Sequence, residues 1–196
     1  MRDDIQVGFA VCGSFCTHRK ALDALMELRK QYQHIVPIAS DFSAKINTRF
    51  GRAEDLIWEM EQISGKNVIS NIQGAEPIGP QKLLDILVIA PCTGNTLAKL
   101  SCGVADTSVT MAAKAHLRNG RPVVVAVSTN DGLATAARNI GELLARKHYY
   151  FVPFRQDDPE GKPTSVVADL RLLPDTVAAA LEGRQLQPLL LGPEAP

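Results

Sequence analysis

The stretch Leu87-Val-Ile-Ala-Pro91-Cys-Thr-Gly-Asn95-Thr-Leu-Ala-Lys99-Leu-Ser-Cys-Gly103-Val-Ala-Asp106 decides the fold, because an unbroken apolar run leads into a turn of small polar residues and then into helical spacing. Ile86 to Ala90 has the pattern of a strand covered on both faces by helices, and Pro91 is expected to end it. Thr93, Gly94, Asn95 and Thr96 then set hydroxyls, a carboxamide and unhindered backbone N–H groups near a helix start. Unpaired amides and the macrodipole favour an anion such as phosphate there. These residues also have a plainer use, since Thr93 or Asn95 would cap a helix beginning near Leu97. On this segment alone both readings stand.

Two further turns of the same kind add to the ligand reading. Ile5 to Val11 reads as a strand running into Cys12-Gly13-Ser14, followed by helical spacing with Ala21, Leu22, Leu25 and Leu28 on one face. His34-Ile-Val-Pro-Ile-Ala39 runs into Ser40-Asp41. Strands that alternate with helices and end in small hydroxyl residues match the rule that ligands bind beyond the carboxyl ends of parallel strands. No Gly-x-Gly-x-x-Gly follows the first strand, which sets the chain apart from the dinucleotide-binding fingerprint.

Composition agrees with a single aliphatic core: 196 residues, 45% hydrophobic and only 5% aromatic. The 21 acidic and 21 basic residues cancel, removing the electrostatic footprint of nucleic-acid or anionic-membrane binding. There is no signal peptide and no run of roughly 18 apolar residues, so a soluble cytoplasmic protein is expected. Cys12, Cys16, Cys92 and Cys102 form no C-x-x-C, and the four histidines lack ligand spacing. No metal is therefore expected and the thiols are read as free. Neither Cys12 nor Cys92 has a general base beside it in sequence to make it a nucleophile.

Along the rest of the chain, Arg52 to Ile63 has helical spacing and Asn67 to Ser70 reads as a short strand. The Gly- and Pro-rich Asn71 to Pro80 reads as a loop over the ligand edge. Ala105 to Leu117 is predicted helical up to Asn119-Gly120, Pro122 to Val127 a central strand, Leu133 to Arg146 a helix and Tyr149 to Pro153 a strand. The polar Arg155 to Pro163 is predicted to be a mobile loop, and Leu173 to Leu181 the last helix. The expected fold class is α/β, a doubly wound, three-layer Rossmann-like parallel sheet. One domain is expected over residues 1–185, with a Pro-rich tail or subunit strap over 186–196.

Gly13-Ser14 after the first strand, Ser40 after the second, and Pro91-Cys-Thr-Gly-Asn95-Thr-Leu-Ala-Lys99 with Gly103-Val-Ala-Asp106 resemble the flavoprotein family. That family includes phosphopantothenoylcysteine decarboxylase, lantibiotic cysteine decarboxylases and flavin prenyltransferases. The similarity spans roughly residues 5 to 153. It implies FMN as cofactor, with Gly13, Ser14 and Ser40 at its phosphate and Thr93, Gly94, Asn95 and Thr96 around the flavin and phosphate. Lys45 or Arg49 would supply a nearby cation. It also implies a homo-oligomer, a trimer or a multiple of trimers, with flavin at contacts between protomers.

The departures from the family pattern bear on chemistry. The cysteine decarboxylases carry a histidine shortly before the central strand, and Asn67 to Pro80 holds none. Where they have a Pro-x-Met-Asn clamp, and the prenyltransferases an arginine, this chain reads Ser128-Thr-Asn-Asp131. Neither chemistry carries over, and the catalytic acid and base stay unassigned. Lys162-Pro-Thr-Ser165, Val167-Ala-Asp169 and Leu173-Pro-Asp-Thr176 narrow the resemblance to one branch of the family. Its members pair with a second chain resembling a nicotinamide-dependent dehydrogenase, so NAD(P) is expected on the partner and a small dicarboxylate as substrate. Arg49, Arg52, Arg118, Arg121, Arg155 and Lys162 are the cations available for such a substrate. Three roles stay open: a catalytic flavoprotein subunit, a non-catalytic binding or structural subunit, or an independent decarboxylase.

Overall fold

In the computed structural model, which describes residues 2–192, every residue of β3 (Ile86–Cys92) is buried. It pairs in parallel with β1 (Arg2–Val11) on one side and β4 (Val123–Thr129) on the other, with Val7 to Ala10 opposite Ile86 to Ile89. β1 pairs in parallel with β2 (Tyr32–Ala39), and β4 with β5 (Tyr149–Phe151). This parallel core is what apolar runs flanked by helices dictate: Val123 to Val127 are all buried, with helices on both sides. α1 (His18–Gln31) and α8 (Leu173–Leu181) pack on one face, with α3 (Ala53–Ser64) beside α1 and β2. α5 (Gly94–Cys102), α6 (Ser108–Leu117) and α7 (Ala137–Leu144) cover the other. The architecture is therefore the expected Rossmann-like α/β sandwich. Among the described residues no helix is long and apolar enough to cross a membrane.

The structure corrects the sequence reading in several places. The sheet is mixed: β6 (Phe154–Asp158) and β7 (Lys162–Ala168) form an antiparallel hairpin added to the end of β4, giving the order β2-β1-β3-β4-β7-β6. The predicted mobile loop from Arg155 to Pro163 is thus strand except for the turn over 159–161. Its polar side chains hid the pattern because β6 is exposed on both faces from Gln156 to Asp158, so no alternation marks the strand.

Asn71 to Pro80 is no open loop. It holds α4 (Ile72–Ala75), capped by Asn71, then a 3₁₀ turn whose Ile78 is fully buried, and both pack against α6. Asn67 to Ser70 contributes a single bridge, Ile38 to Ile69, rather than a strand. β3 does not stop at Pro91 but continues to Cys92, with a register slip between Ile89 and Cys92 absorbing the missing N–H. Two predicted helices start late: α6 begins at Ser108 after an irregular stretch, and α7 at Ala137 after turns.

Leu189 to Leu191 bridge back to Phe154 at the outer edge of β6. Residues 193 to 196 of the predicted tail lie outside the described residues.

Candidate functional site

Three strand ends meet at the carboxyl edge of the sheet. β1 leads into Cys12-Gly13-Ser14 and a 3₁₀ turn over Phe15–Thr17. β2 leads through Ser40 into α2 (Asp41–Lys45), and β3 leads through Thr93 into α5. Between them lies a cavity of about 210 Å³ lined by Gly13, Phe15, Ser40, Phe42, Thr93, Asn95, Thr96, Lys99 and Thr107. Gly13, Ser40, Thr93, Asn95 and Thr96, nominated from sequence, thus share one cavity.

Each strand end is pinned. The Ser40 N–H donates to the Val11 carbonyl (2.9 Å), and the Ser108 hydroxyl donates to the Ala39 carbonyl (2.5 Å), tying α6 to the end of β2. The Cys12 N–H donates to the Pro91 carbonyl (3.2 Å), and the His18 ring Nε2–H donates to the Cys12 carbonyl (2.8 Å). Burial holds His18 below its ordinary pKa, so it makes this bond as a neutral imidazole.

An account of the hydroxyl protons changes what the cavity offers a ligand. Thr93 caps α5 by accepting the Thr96 N–H (3.2 Å), and its own proton goes to Thr96 Oγ1 (3.1 Å). The Thr96 hydroxyl in turn donates to Cys12 Sγ (3.3 Å). Ser40 accepts the Ser43 N–H and donates to Ser43 Oγ (3.0 Å). Sequence reasoning counted these three hydroxyls as anion donors, yet their protons are committed within the protein. The donors left among the lining residues are the Asn95 carboxamide and backbone amide and the Lys99 ammonium, and the neighbouring Gly94 amide also precedes the intrahelical bonds of α5. That set suits a phosphate ester.

Lys99 is the cation of the cavity, a role sequence reasoning gave to Lys45 or Arg49. Neither Lys45 nor Arg49 lines the cavity: Lys45 pairs with Asp41 (2.9 Å), and Arg49 lies over the exposed Phe50 ring. Helical spacing held the signal: Asn95 and Lys99, four apart on α5, share a face. Lys99 Nζ donates to both carboxylate oxygens of Asp106 (2.8 and 2.9 Å), which holds Asp106 below the usual carboxylate range and leaves one ammonium proton over.

Ser14 and Gly94 are not among the residues that line the cavity. The Ser14, Thr17 and Ser128 hydroxyls bond one another at 2.8 to 3.2 Å, joining the β1 turn to the end of β4. Gly94 faces Asp131 and Thr129, and a Cβ there would lie 2.7 Å from an oxygen of each. Its small size is needed for this approach. Thr129 donates to Asp131 Oδ1 (2.5 Å). None of the six cations considered for a dicarboxylate lines the cavity. Arg52, Arg121, Arg155 and Lys162 are paired with Glu54, Asp85, Asp169 and Asp157.

The four cysteines are free, with Cys12 and Cys92 buried. Burial pushes the Cys12 thiol up to about 11 and Cys92 well above the ordinary range, which argues against a thiolate nucleophile. Among the described residues no cluster of metal-ligating side chains occurs.

Beside this cavity at the carboxyl edge of an α/β sheet stands a match in sequence: the model of the Flavoprotein family covers residues 1–161. The chain belongs to that family. Within it, the chain is 42% identical over 186 residues to the B subunit of dipicolinate synthase of Bacillus subtilis (strain 168), covering 95% of this chain and 93% of that one. The crystal structure of the B subunit of dipicolinate synthase from Bacillus halodurans C superposes with a TM-score of 0.88 at 41% identity, over 97% of each chain. The FMN-dependent cysteine decarboxylase SpaF shares the fold, with a TM-score of 0.67 at 22% identity over 91% of this chain and 96% of that one.

Proposed function

We propose that this chain acts as the flavoprotein subunit of a dipicolinate synthase. With a dehydrogenase-like A subunit that carries NAD(P), it converts a hydroxy-tetrahydrodipicolinate to pyridine-2,6-dicarboxylate. The conversion removes one water and two hydrogens from the ring. FMN is the cofactor proposed for this chain, and when bound it supplies an acceptor for those two electrons. Gly13, Ser40, Asn95 and Lys99, with the α5 amides of Gly94 and Asn95, would hold its phosphate, while Thr93 and Thr96 hold the turn in shape. Ser14, joined to Thr17 and Ser128, secures the β1 turn beside it. The protein works in the cytoplasm of the mother cell of a sporulating bacterium, as a homo-oligomer built on trimers.

The observation that carries this reading is the convergence of Lys99, Asn95 and unpaired helix amides on one cavity, in a chain 42% identical to a dipicolinate synthase subunit. The test is reconstitution. The purified chain is titrated with FMN, then mixed with the A subunit and precursor while pyridine dicarboxylate formation is followed by absorbance. Flavin uptake together with FMN-dependent product formation is expected. Protein that stays colourless and supports the same rate without FMN would assign the chemistry to the partner alone.

A further inference from the structure

Cys12 has no part in the reading above, yet it is the most connected residue beneath the cradle. Its N–H donates to the Pro91 carbonyl, which binds the β1 turn to the end of β3. Its carbonyl accepts from the His18 ring (2.8 Å) and from the Ser14 N–H (2.9 Å), which sets the curvature of the turn that carries Gly13. Its buried sulfur accepts from the Thr96 hydroxyl (3.3 Å), so the side chain reaches the α5 cap across 84 positions of sequence.

These contacts impose an order on the protons. A hydroxyl that gives its proton to Cys12 Sγ can receive one only through its lone pairs, so Thr96 takes the Thr93 proton, and Thr93 receives the Thr96 N–H. The cap is locked in one orientation, with the Thr96 N–H held on Thr93 Oγ1 and the Gly94 and Asn95 amides left outside it. Without an acceptor at position 12 the buried Thr96 hydroxyl must turn elsewhere, and the cap loses its fixed sense.

We propose that Cys12 is a positioning residue of the cofactor cradle. Its thiol serves as the hydrogen-bond acceptor that orients the Thr93–Thr96 cap and holds the β1 turn against α5. The proposal rests on the cradle reading, and it makes a demand of its own: any acceptor of similar size will serve at position 12, while an apolar filler will not.

The test compares Cys12→Ser, Cys12→Ala and Cys12→Val with the parent chain by FMN titration and by amide hydrogen exchange. Cys12→Val keeps the volume should Cys12→Ala fold poorly. In the Ala and Val variants FMN affinity is expected to fall about fivefold, and the Thr96 amide to exchange faster by a similar factor, as for one lost internal hydrogen bond. Cys12→Ser is expected to keep both near the parent values. A Thr96 amide that exchanges at the parent rate in the Ala and Val variants overturns the proposal. So does a Ser variant that behaves like the Ala variant, which would reduce Cys12 to packing. Failure of the parent chain to bind FMN would instead refute the cofactor reading, and the exchange data would still decide the role of Cys12.

Discussion

Lys99 shows how a residue acquires a role through its neighbours rather than its type. It is largely covered, with its side chain 21% exposed, and it holds one proton beyond its two bonds to Asp106. If that proton meets the phosphate, Lys99→Met weakens FMN binding about tenfold, the weight of a charge-assisted hydrogen bond. Riboflavin, which lacks the phosphate, is bound equally by both proteins. Parallel fluorescence titrations of the two flavins check this, and equal losses for both would remove Lys99 from the phosphate site. The residue types around the anion were legible in sequence, because small polar residues after apolar runs are local patterns. Which hydroxyls keep a free proton was not, because the answer depends on partners such as Cys12 and Thr96, 84 positions apart.

At the scale of elements, the parallel strands and the last helix were legible, since Leu173 to Leu181 and the runs through β3 and β4 carry their periodicity on their face. The β6–β7 hairpin was not. Its strands join the sheet through two pairs with β4, Ser128 to Val167 and Thr129 to Val166, contacts that no local pattern announces. Gly132, in the turn after β4, shows how tightly that junction closes. Its Cα lies against Val166, and an added Cβ would overlap the Val166 side chain outright. Gly132→Ala is expected to push the hairpin off the end of β4 and to destabilise the protein by about 2 kcal/mol. Urea unfolding gives the value, and an unchanged midpoint would mean that the hairpin moves freely. α4 escaped notice for a related reason: Gly74, Pro77 and Gly79 read as loop residues, while burial of Ala75 and Ile78 against α6 makes the segment helical.

For the molecule as a whole, one buried histidine contributes to the dependence of stability on pH in mild acid. His116, on the last turn of α6, donates Nε2–H to the Pro122 carbonyl (3.0 Å), while its Nδ1 is buried without a hydrogen-bond partner. A proton on Nδ1 would have no acceptor, and burial lowers the pKa from 6.5 to about 4. The unfolded chain takes up this proton below 6.5 and the folded chain only below about 4, so stability conferred by the neutral ring is complete above 6.5 and lost progressively down to 4. The loss is on the order of 3 kcal/mol. His116→Gln should flatten that part of the curve of unfolding free energy against pH, and a slope identical to that of the parent would assign the acid sensitivity to other groups. Position 116 looked like an ordinary polar point on a predicted helix, because no sequence pattern tells a buried histidine from a solvated one.

The return of Leu189 to Leu191 onto Phe154 acts on a larger scale still. An open outer strand is a template on which another chain can lay down its own backbone. By folding this short piece against β6, the polypeptide occupies part of that template itself, so growth of the sheet into a neighbouring molecule meets a stopper made from the same chain.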